Sequence, residues 1–267
     1  MKKQNYKTVS LKKGEVHVYD FGGVTLHAYK TNDFLSDEVF LLVKNGNAVV
    51  IESPCFTESI QEFSDYIDTL QVNVAGKLLA YHMAGATFLP DAPVYATRNA
   101  DAYSHEGGGK TLIDNFTGAF GESFNSTIHT VTNHIKEGPV TIAGIDMNII
   151  PTADAFDIEI PEINAVYIHM MGHDCHSIVA GEGHVDALVA QLDSFIKRGF
   201  ALILTSHYIP EDLKDAGTKA AYLNDLKAIA KGGKDAATFK EAVRSKYPGY
   251  SGENYLDMTT GFFFHGE

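Results

Sequence analysis

Three short apolar runs in this chain lead into a histidine. Lys77-Leu-Leu-Ala80 precedes Tyr81-His82, Ala165-Val-Tyr-Ile168 precedes His169, and Phe200-Ala-Leu-Ile-Leu204 precedes Thr205-Ser206-His207. Runs this short are below helix length and read as buried strands. A strand that stops at an imidazole delivers a titratable, metal-ligating group to one edge of a sheet. The densest stretch is AVYIHMMGHDCH, Ala165 to His176. There His169, His173 and His176 fall beside Asp174 and Cys175. Such a set can bind a borderline metal or move protons near neutral pH.

The segments between these runs set the fold class. Residues 14–30 alternate apolar and polar around Gly22-Gly23, which predicts a β-hairpin or two short strands. Phe40 to Val43, Asn45-Gly46-Asn47 and Ala48 to Ile51 predict another, because Asn-Gly suits a two-residue turn. Thr57-Glu58 opens an amphipathic helix to about Leu70, with Ile60, Phe63, Tyr66, Ile67 and Leu70 at helical spacing. Met83 to Phe88 reads as a helix start, Ala92 to Ala96 as a strand, and Asn99 to His105 as a helix. The stretch GGGKTLIDNFTGAFGESFNS that follows is long and Gly-rich, and reads as a lid or binding loop. Its Gly107-Gly108-Gly109-Lys110 lacks the spacing of a phosphate loop. Strands are expected over 127–133 and 140–150, and a polar corner over 151–157. Helices are expected over 184–198, over 218–230 after a polar connection at 211–216, and over 236–247. The tail, Met258 to Phe264, reads as a terminal strand or a patch buried against a second subunit. Each half runs strands then helices. That order predicts an α/β protein, an αββα sandwich of two mixed β-sheets flanked by helices. The expected organisation is a single domain over 1–267, with a Gly-rich insertion near 105–126 and a helical C-terminal extension from about 218.

With 267 residues, 45% of them hydrophobic, the chain can build a large core. A net charge of −13 argues against nucleic acid or an anionic membrane as general partners. The basic residues Lys2, Lys3, Lys7, Lys12 and Lys13 read as a solvated segment. Two cysteines, Cys55 and Cys175, make no disulfide framework and read as free thiols. The N-terminus has no apolar signal region, and no apolar run reaches membrane-spanning length, so a cytoplasmic location is expected. The expected partners are a small-molecule substrate and a second copy of the chain in a homodimer.

Three segments together resemble the metallo-β-lactamase fold superfamily of hydrolases. Ala48-Val-Val-Ile-Glu-Ser-Pro54 is similar to the family's strand ending in an acidic residue and a small turn. Leu78 to His82, followed by Ala92 to Ala96, is the second segment. Ile150 to Pro210 is the third and most resembles the alkylsulfatase branch, which carries an acidic residue and two histidines three apart. His173 and His176 match that pair, and Ser206-His207-Tyr208-Ile209-Pro210 resembles the branch's final Ser-His motif. The likeness covers roughly residues 20–230.

The chain departs from the family's pattern where that pattern binds metal. In place of the signature His-x-His-x-Asp-His stands Tyr81-His82-Met83-Ala84-Gly85-Ala86. Aligned without a gap, His82 takes the first histidine position, and Ala84, Ala86 and Thr87 replace the other ligands. Aligned on Ala92 to Ala96, His82 takes the last position. The next histidine ligand has become Ala153 or Asp154, and the bridging carboxylate position aligns with His169. His207 stands at the last ligand position. The usual two-zinc site therefore cannot be assembled, since two neighbouring ions need several ligands and a bridging anion. A one-metal site needs only three protein ligands and an open position. The resemblance implies that His82, His169 and His207 converge on one cleft, with His173 or Asp154 as a fourth ligand. Asp154 and His173 are the catalytic candidates. The cofactor is one divalent metal ion, zinc first, or none.

The leading expectation is an atypical hydrolase acting on a small ester, lactone or sulfate ester under the Gly-rich segment. One alternative is a non-catalytic binding or assembly module that kept the fold after losing its metals. Another is metal-free acid–base catalysis by the histidines. His176 and the two cysteines read as structural residues, and Glu52 as a group that orients backbone or a histidine. His17, His27, His129, His134, His184 and His265 read as surface or packing residues.

Overall fold

The sequence pattern of strands closed by tight turns is realised as two sheets. A computed structural model describes residues 5–264; Lys2, Lys3 and His265 lie outside the described residues. The first sheet holds β1 (Lys7–Ser10), β2 (Glu15–Asp20), β3 (Thr25–Lys30), β4 (Glu38–Lys44), β5 (Asn47–Ile51), β6 (Asn73–Leu78), β7 (Val94–Thr97) and β8 (Asn133–Ile135), in that spatial order. Strands β1 to β5 are antiparallel neighbours, whereas β5 to β8 run parallel, so the sheet is mixed. The second sheet holds β9 (Gly138–Ile142), β10 (Ile145–Pro151), β11 (Phe156–Ile160), β12 (Ala165–Ile168) and β13 (Leu202–Thr205), ordered β13-β12-β11-β10-β9.

Local chemistry explains the hairpins. Asn45 and Gly46 both sit at positive φ, 50° and 76°, the geometry that a tight turn between twisted strands demands. The resulting register pairs Phe40 with Ile51 and places Val39, Leu41, Ala48 and Val50 in one core cluster with Val16 and Tyr29. Helix α1 (Thr57–Leu70) covers that cluster with Ile60, Phe63, Tyr66 and Ile67, the spacing read from the sequence. Phe63 stacks on Tyr29 with ring centroids 4.5 Å apart. Each such buried side chain contributes about 1.5–3 kcal/mol of burial free energy. On the opposite face, Phe40 meets Tyr167 of β12 edge-on at 6.2 Å, which joins the two sheets.

The remaining helices among the described residues are α2 (Arg98–Glu106), α3 (Gly108–Phe120), α4 (Glu182–Arg198), α5 (Leu213–Gly232), α6 (Ala236–Lys246) and α7 (Glu253–Phe264). The chain groups into two compact units. Among the described residues, one contains 5–170 together with Ile203–Pro210; the other contains Met171–Leu202 and 211–264. In the second unit α4 packs on α5, and α6 on α7. No described helix is long and apolar enough to cross a membrane.

Five expectations are corrected, the first being the strand over 127–133: that segment is irregular apart from a bridge at Ile128, and strand begins only at Asn133. The Gly-rich stretch is not an open loop, because Gly108–Phe120 is helical. Its glycines answer to close packing: a Cβ on Gly109 would lie 2.8 Å from the Tyr103 ring, and one on Gly107 would lie 3.0 Å from Tyr103 Cα. Met83 to Phe88 is irregular rather than helical, held to a neighbouring segment by an isolated bridge between Ala84 and Ile128. The connection expected at 211–216 is already the start of α5, where Asp212 and Asp215 form a capping box. The apolar tail is α7, not a strand. Its spacing buries Leu256, Thr259 and Thr260.

Candidate metal centre

The three strand-end histidines meet. One ring nitrogen from each of His82, His169 and His207 lies within 4.8 Å of the other two. Ring centroids are 5.0 Å apart for His82 and His207, 5.3 Å for His169 and His207, and 5.6 Å for His82 and His169. Adjacency of β12 and β13 brings two of the rings together, and the Ser206 N–H donates to the His169 carbonyl at 2.9 Å.

Glu52 brings the third. It ends β5 in the left-handed region, φ 66°, an unusual conformation for a residue with a side chain. Its carboxylate accepts the backbone N–H of Tyr81 at 2.9 Å and of His82 at 2.7 Å. The Tyr167 hydroxyl donates to the same carboxylate at 2.5 Å and lies 2.6 Å from the Ser206 hydroxyl. One fully buried acid thus ties the backbone at His82 to β12 and to the residue before His207. Gly85, at φ 91°, lets the chain pass Pro54, whose carbonyl oxygen would lie 2.2 Å from a Cβ there. The Tyr81 ring stacks on His169 at 4.2 Å, and its hydroxyl lies 2.9 Å from Thr152 Oγ1.

Burial, helped by the neighbouring His82 and His207, holds His169 well below the usual histidine range, so it is neutral at pH 7. Neutral imidazole is the form that binds metal. Burial would also lower His207, but the Asp37 carboxylate outweighs it, and the net direction is upward. Asp37 is fully buried. Burial pushes its carboxyl up, and the His82 and His207 imidazoles more than reverse this. Two buried atoms here, His82 Nδ1 and Asp37 Oδ1, have no hydrogen-bond partner. Three imidazoles with mutually facing nitrogens, and a buried carboxylate behind them, fit one divalent cation.

The other residues singled out from sequence are not in this group of three. His173 groups with Glu211 and Asp215. Its Nδ1 and its backbone nitrogen each lie 2.8 Å from Glu211, which also accepts the Gly172 N–H at 3.0 Å. That carboxylate thus takes three contacts from one turn of chain. Asp154 is exposed in the corner between β10 and β11. His176 is buried, with Nδ1 2.9 Å from the Tyr222 hydroxyl. Cys55 and Cys175 are buried free thiols. Sequence reasoning misses Asp37, Glu211, Asp215 and Tyr167. It also reads His129 as a plain packing residue, whereas His129 joins a buried network, 3.0 Å from Ser53 Oγ and 3.3 Å from Lys77 Nζ.

No protein-family model matches the chain, and no curated protein matches it in sequence. Solved structures do match in shape. The inverting sec-alkylsulfatase Pisa1 from Pseudomonas sp. aligns at a TM-score of 0.62 and 12% identity, over 91% of this chain and 50% of that one. A metallo-β-lactamase family protein from Thermus thermophilus aligns at 0.60 and 14% identity, over 90% and 91%. The fold is that of the metallo-β-lactamases. A metallo-β-lactamase from Pontibacter korlensis extends the likeness, at a TM-score of 0.52 and 14% identity, over 83% of this chain and 100% of that one. The chain spans about half the length of the alkylsulfatase. In this metallo-β-lactamase fold the first sheet supplies Glu52 and the approach to His82, and the second supplies His169 and His207.

Proposed function

We propose that this protein is a hydrolase of small esters, sulfate esters included, working with one divalent metal ion held by His82, His169 and His207. The observation that carries the reading is the approach of three imidazole nitrogens to within 4.8 Å of one another. A divalent ion held by these three imidazoles would supply Lewis acidity to an ester. The chain's own groups prepare that chemistry. Burial keeps His169 unprotonated. Tyr81 fixes the His169 ring by stacking, and Glu52 fixes the backbone that carries His82. Zinc is the first candidate, because nitrogen-only, three-residue sets suit it.

The substrate class draws on two further observations. The solved relatives include a sec-alkylsulfatase, which brings alkyl sulfate esters into the proposal. The Leu35 carbonyl faces His207 Nδ1 at 3.2 Å. The adjoining Phe34 is 74% exposed and stacks on Phe120 at 5.3 Å. An exposed aromatic shelf on the loop that touches His207 suits an apolar alkyl or aryl portion of an ester.

The test is metal content and turnover together. The full chain, stripped with chelator and then offered zinc, manganese or cobalt, is expected to retain roughly one equivalent of an ion and to hydrolyse an aryl acetate, a lactone or an alkyl sulfate. His82→Ala, His169→Ala and His207→Ala should each abolish both. Retention below about a tenth of an equivalent of every ion would remove the metal from the reading.

A further inference from the structure

We propose that Asp37 is the outer carboxylate that positions two of the metal ligands, His82 and His207, and balances the charge of the ion; this rests on the assignment of the ion to the three imidazoles. The segment between β3 and β4 is built to present Asp37 inward. Asp33 Oδ1 accepts the N–H of Leu35 at 3.0 Å and of Asp37 at 3.4 Å. Thr31 donates both its N–H and its hydroxyl to the Asp37 carbonyl, at 3.0 and 2.9 Å. Asn32 and Ser36 turn the chain at positive φ. The loop is thus latched by its own hydrogen bonds, and the Asp37 side chain is wholly buried.

The two oxygens of Asp37 have different surroundings. Oδ2 accepts the Cys55 thiol at 3.2 Å. Oδ1 lies 3.3 Å from His207 Nδ1 and 3.8 Å from His82 Nδ1, ion-pair contacts rather than hydrogen bonds. The carboxylate therefore backs the Nδ1 edge of both rings. His207 Nδ1 also faces the Leu35 carbonyl, and the Glu38 N–H donates to the Ser206 carbonyl at 2.6 Å. Leu35, Asp37 and Glu38 together grip His207 and its neighbour. The Leu35 carbonyl can only accept, so it fixes His207 in the tautomer that carries its proton on Nδ1 and leaves Nε2 for a metal.

Charge gives the independent reason. Three neutral imidazoles add nothing to offset a doubly charged cation, and the position that resembles the family's bridging carboxylate holds His169 here. Asp37 is a buried carboxylate in ion-pair range of two of the three ligands, and neither its Oδ1 nor His82 Nδ1 has a hydrogen-bond partner. A fully buried carboxylate is costly unless positive charge is near, and here that charge comes through the His82 and His207 rings. A bound ion would supply that positive charge through the same two imidazoles once they give up their protons to bind it.

The experiment measures zinc affinity by competition with a chromophoric chelator, and cobalt absorption for coordination geometry. It uses wild type, Asp37→Asn and Cys55→Ala. Asp37→Asn keeps the shape and removes the charge; it should bind zinc roughly 10–100-fold more weakly. Cys55→Ala disturbs the other face of the same carboxylate and should bind zinc like wild type. Melting of the metal-free proteins shows whether each variant is folded. Equal zinc affinity in wild type and Asp37→Asn would overturn the role of Asp37 and leave the metal assignment standing. So would an equal loss in Cys55→Ala, because loop packing would then explain both. A wild type that binds no metal would overturn both readings. If Asp37→Asn fails to fold, Asp37→Glu takes its place: it keeps the charge, so partial retention of affinity supports the role, and loss as complete as in His207→Ala opposes it.

Discussion

Glu52 shows how much one side chain can hold. Its two oxygens take three donors, the N–H groups of Tyr81 and His82 and the Tyr167 hydroxyl, and it sits at positive φ at the end of β5. A carboxylate can accept all three; an amide must turn an NH2 group toward at least one of them. Glu52→Gln should therefore lower the unfolding free energy by about 3 kcal/mol, read from urea denaturation, since a buried donor loses its acceptor. Zinc affinity should fall with it, because the backbone at His82 is released. A variant as stable as wild type would show that Glu52 does not hold this corner. The acid is legible in the sequence as a strand-end group, and so is its orienting role, because a lone carboxylate between an apolar run and Ser-Pro has few other uses. Asp37 is not legible, because TNDFLSDE has the composition of any polar turn, and its burial depends on partners far along the chain.

At the scale of elements, periodicity succeeds where one face is buried and fails where packing is local. Helix α1 keeps its apolar stripe over Ile60, Phe63 and Ile67 because a sheet lies against it. Helix α3 reads as a loop in the sequence because Gly107, Gly108 and Gly109 open it, yet those glycines accommodate the Tyr103 ring. Helix α5 carries no clear stripe and begins earlier than its Gly217 suggests. Its start is fixed by Asp212, which accepts the N–H of Lys214 at 2.8 Å and of Asp215 at 3.1 Å. Asp212→Ala should cost about 1 kcal/mol of stability, and Asp212→Ser should recover most of it, both measured by urea unfolding. No difference between the two variants would remove the cap from the account of where α5 begins.

At the scale of the whole molecule, buried lysines make stability depend on pH in a stated direction. Lys77 is fully buried, donates to the carbonyls of Phe88 and Leu89 at 2.8 and 2.7 Å, and is lowered by burial to about 8. Its folded value lies below the unfolded one, 10.5, so between them the unfolded chain binds more protons and the folded state gains as pH rises. Lys219, also lowered to about 8, acts in the same sense. Comparing wild type with Lys77→Met isolates the first from every other group. The stability difference in favour of wild type should widen by on the order of 2 kcal/mol as pH goes from about 8 to about 10.5. A difference that stays constant would show that Lys77 keeps an ordinary affinity for its proton. By itself the sequence determined the strands, their tight turns, the helix after β5 and the delivery of three histidines to strand ends. These follow from short-range periodicity and turn chemistry, which each segment carries alone. Tertiary structure decided that His82, His169 and His207 share one place, that Asp37 stands behind two of them, and that His173 pairs with Glu211. Those facts depend on strand pairing and burial between distant segments, which no local pattern encodes.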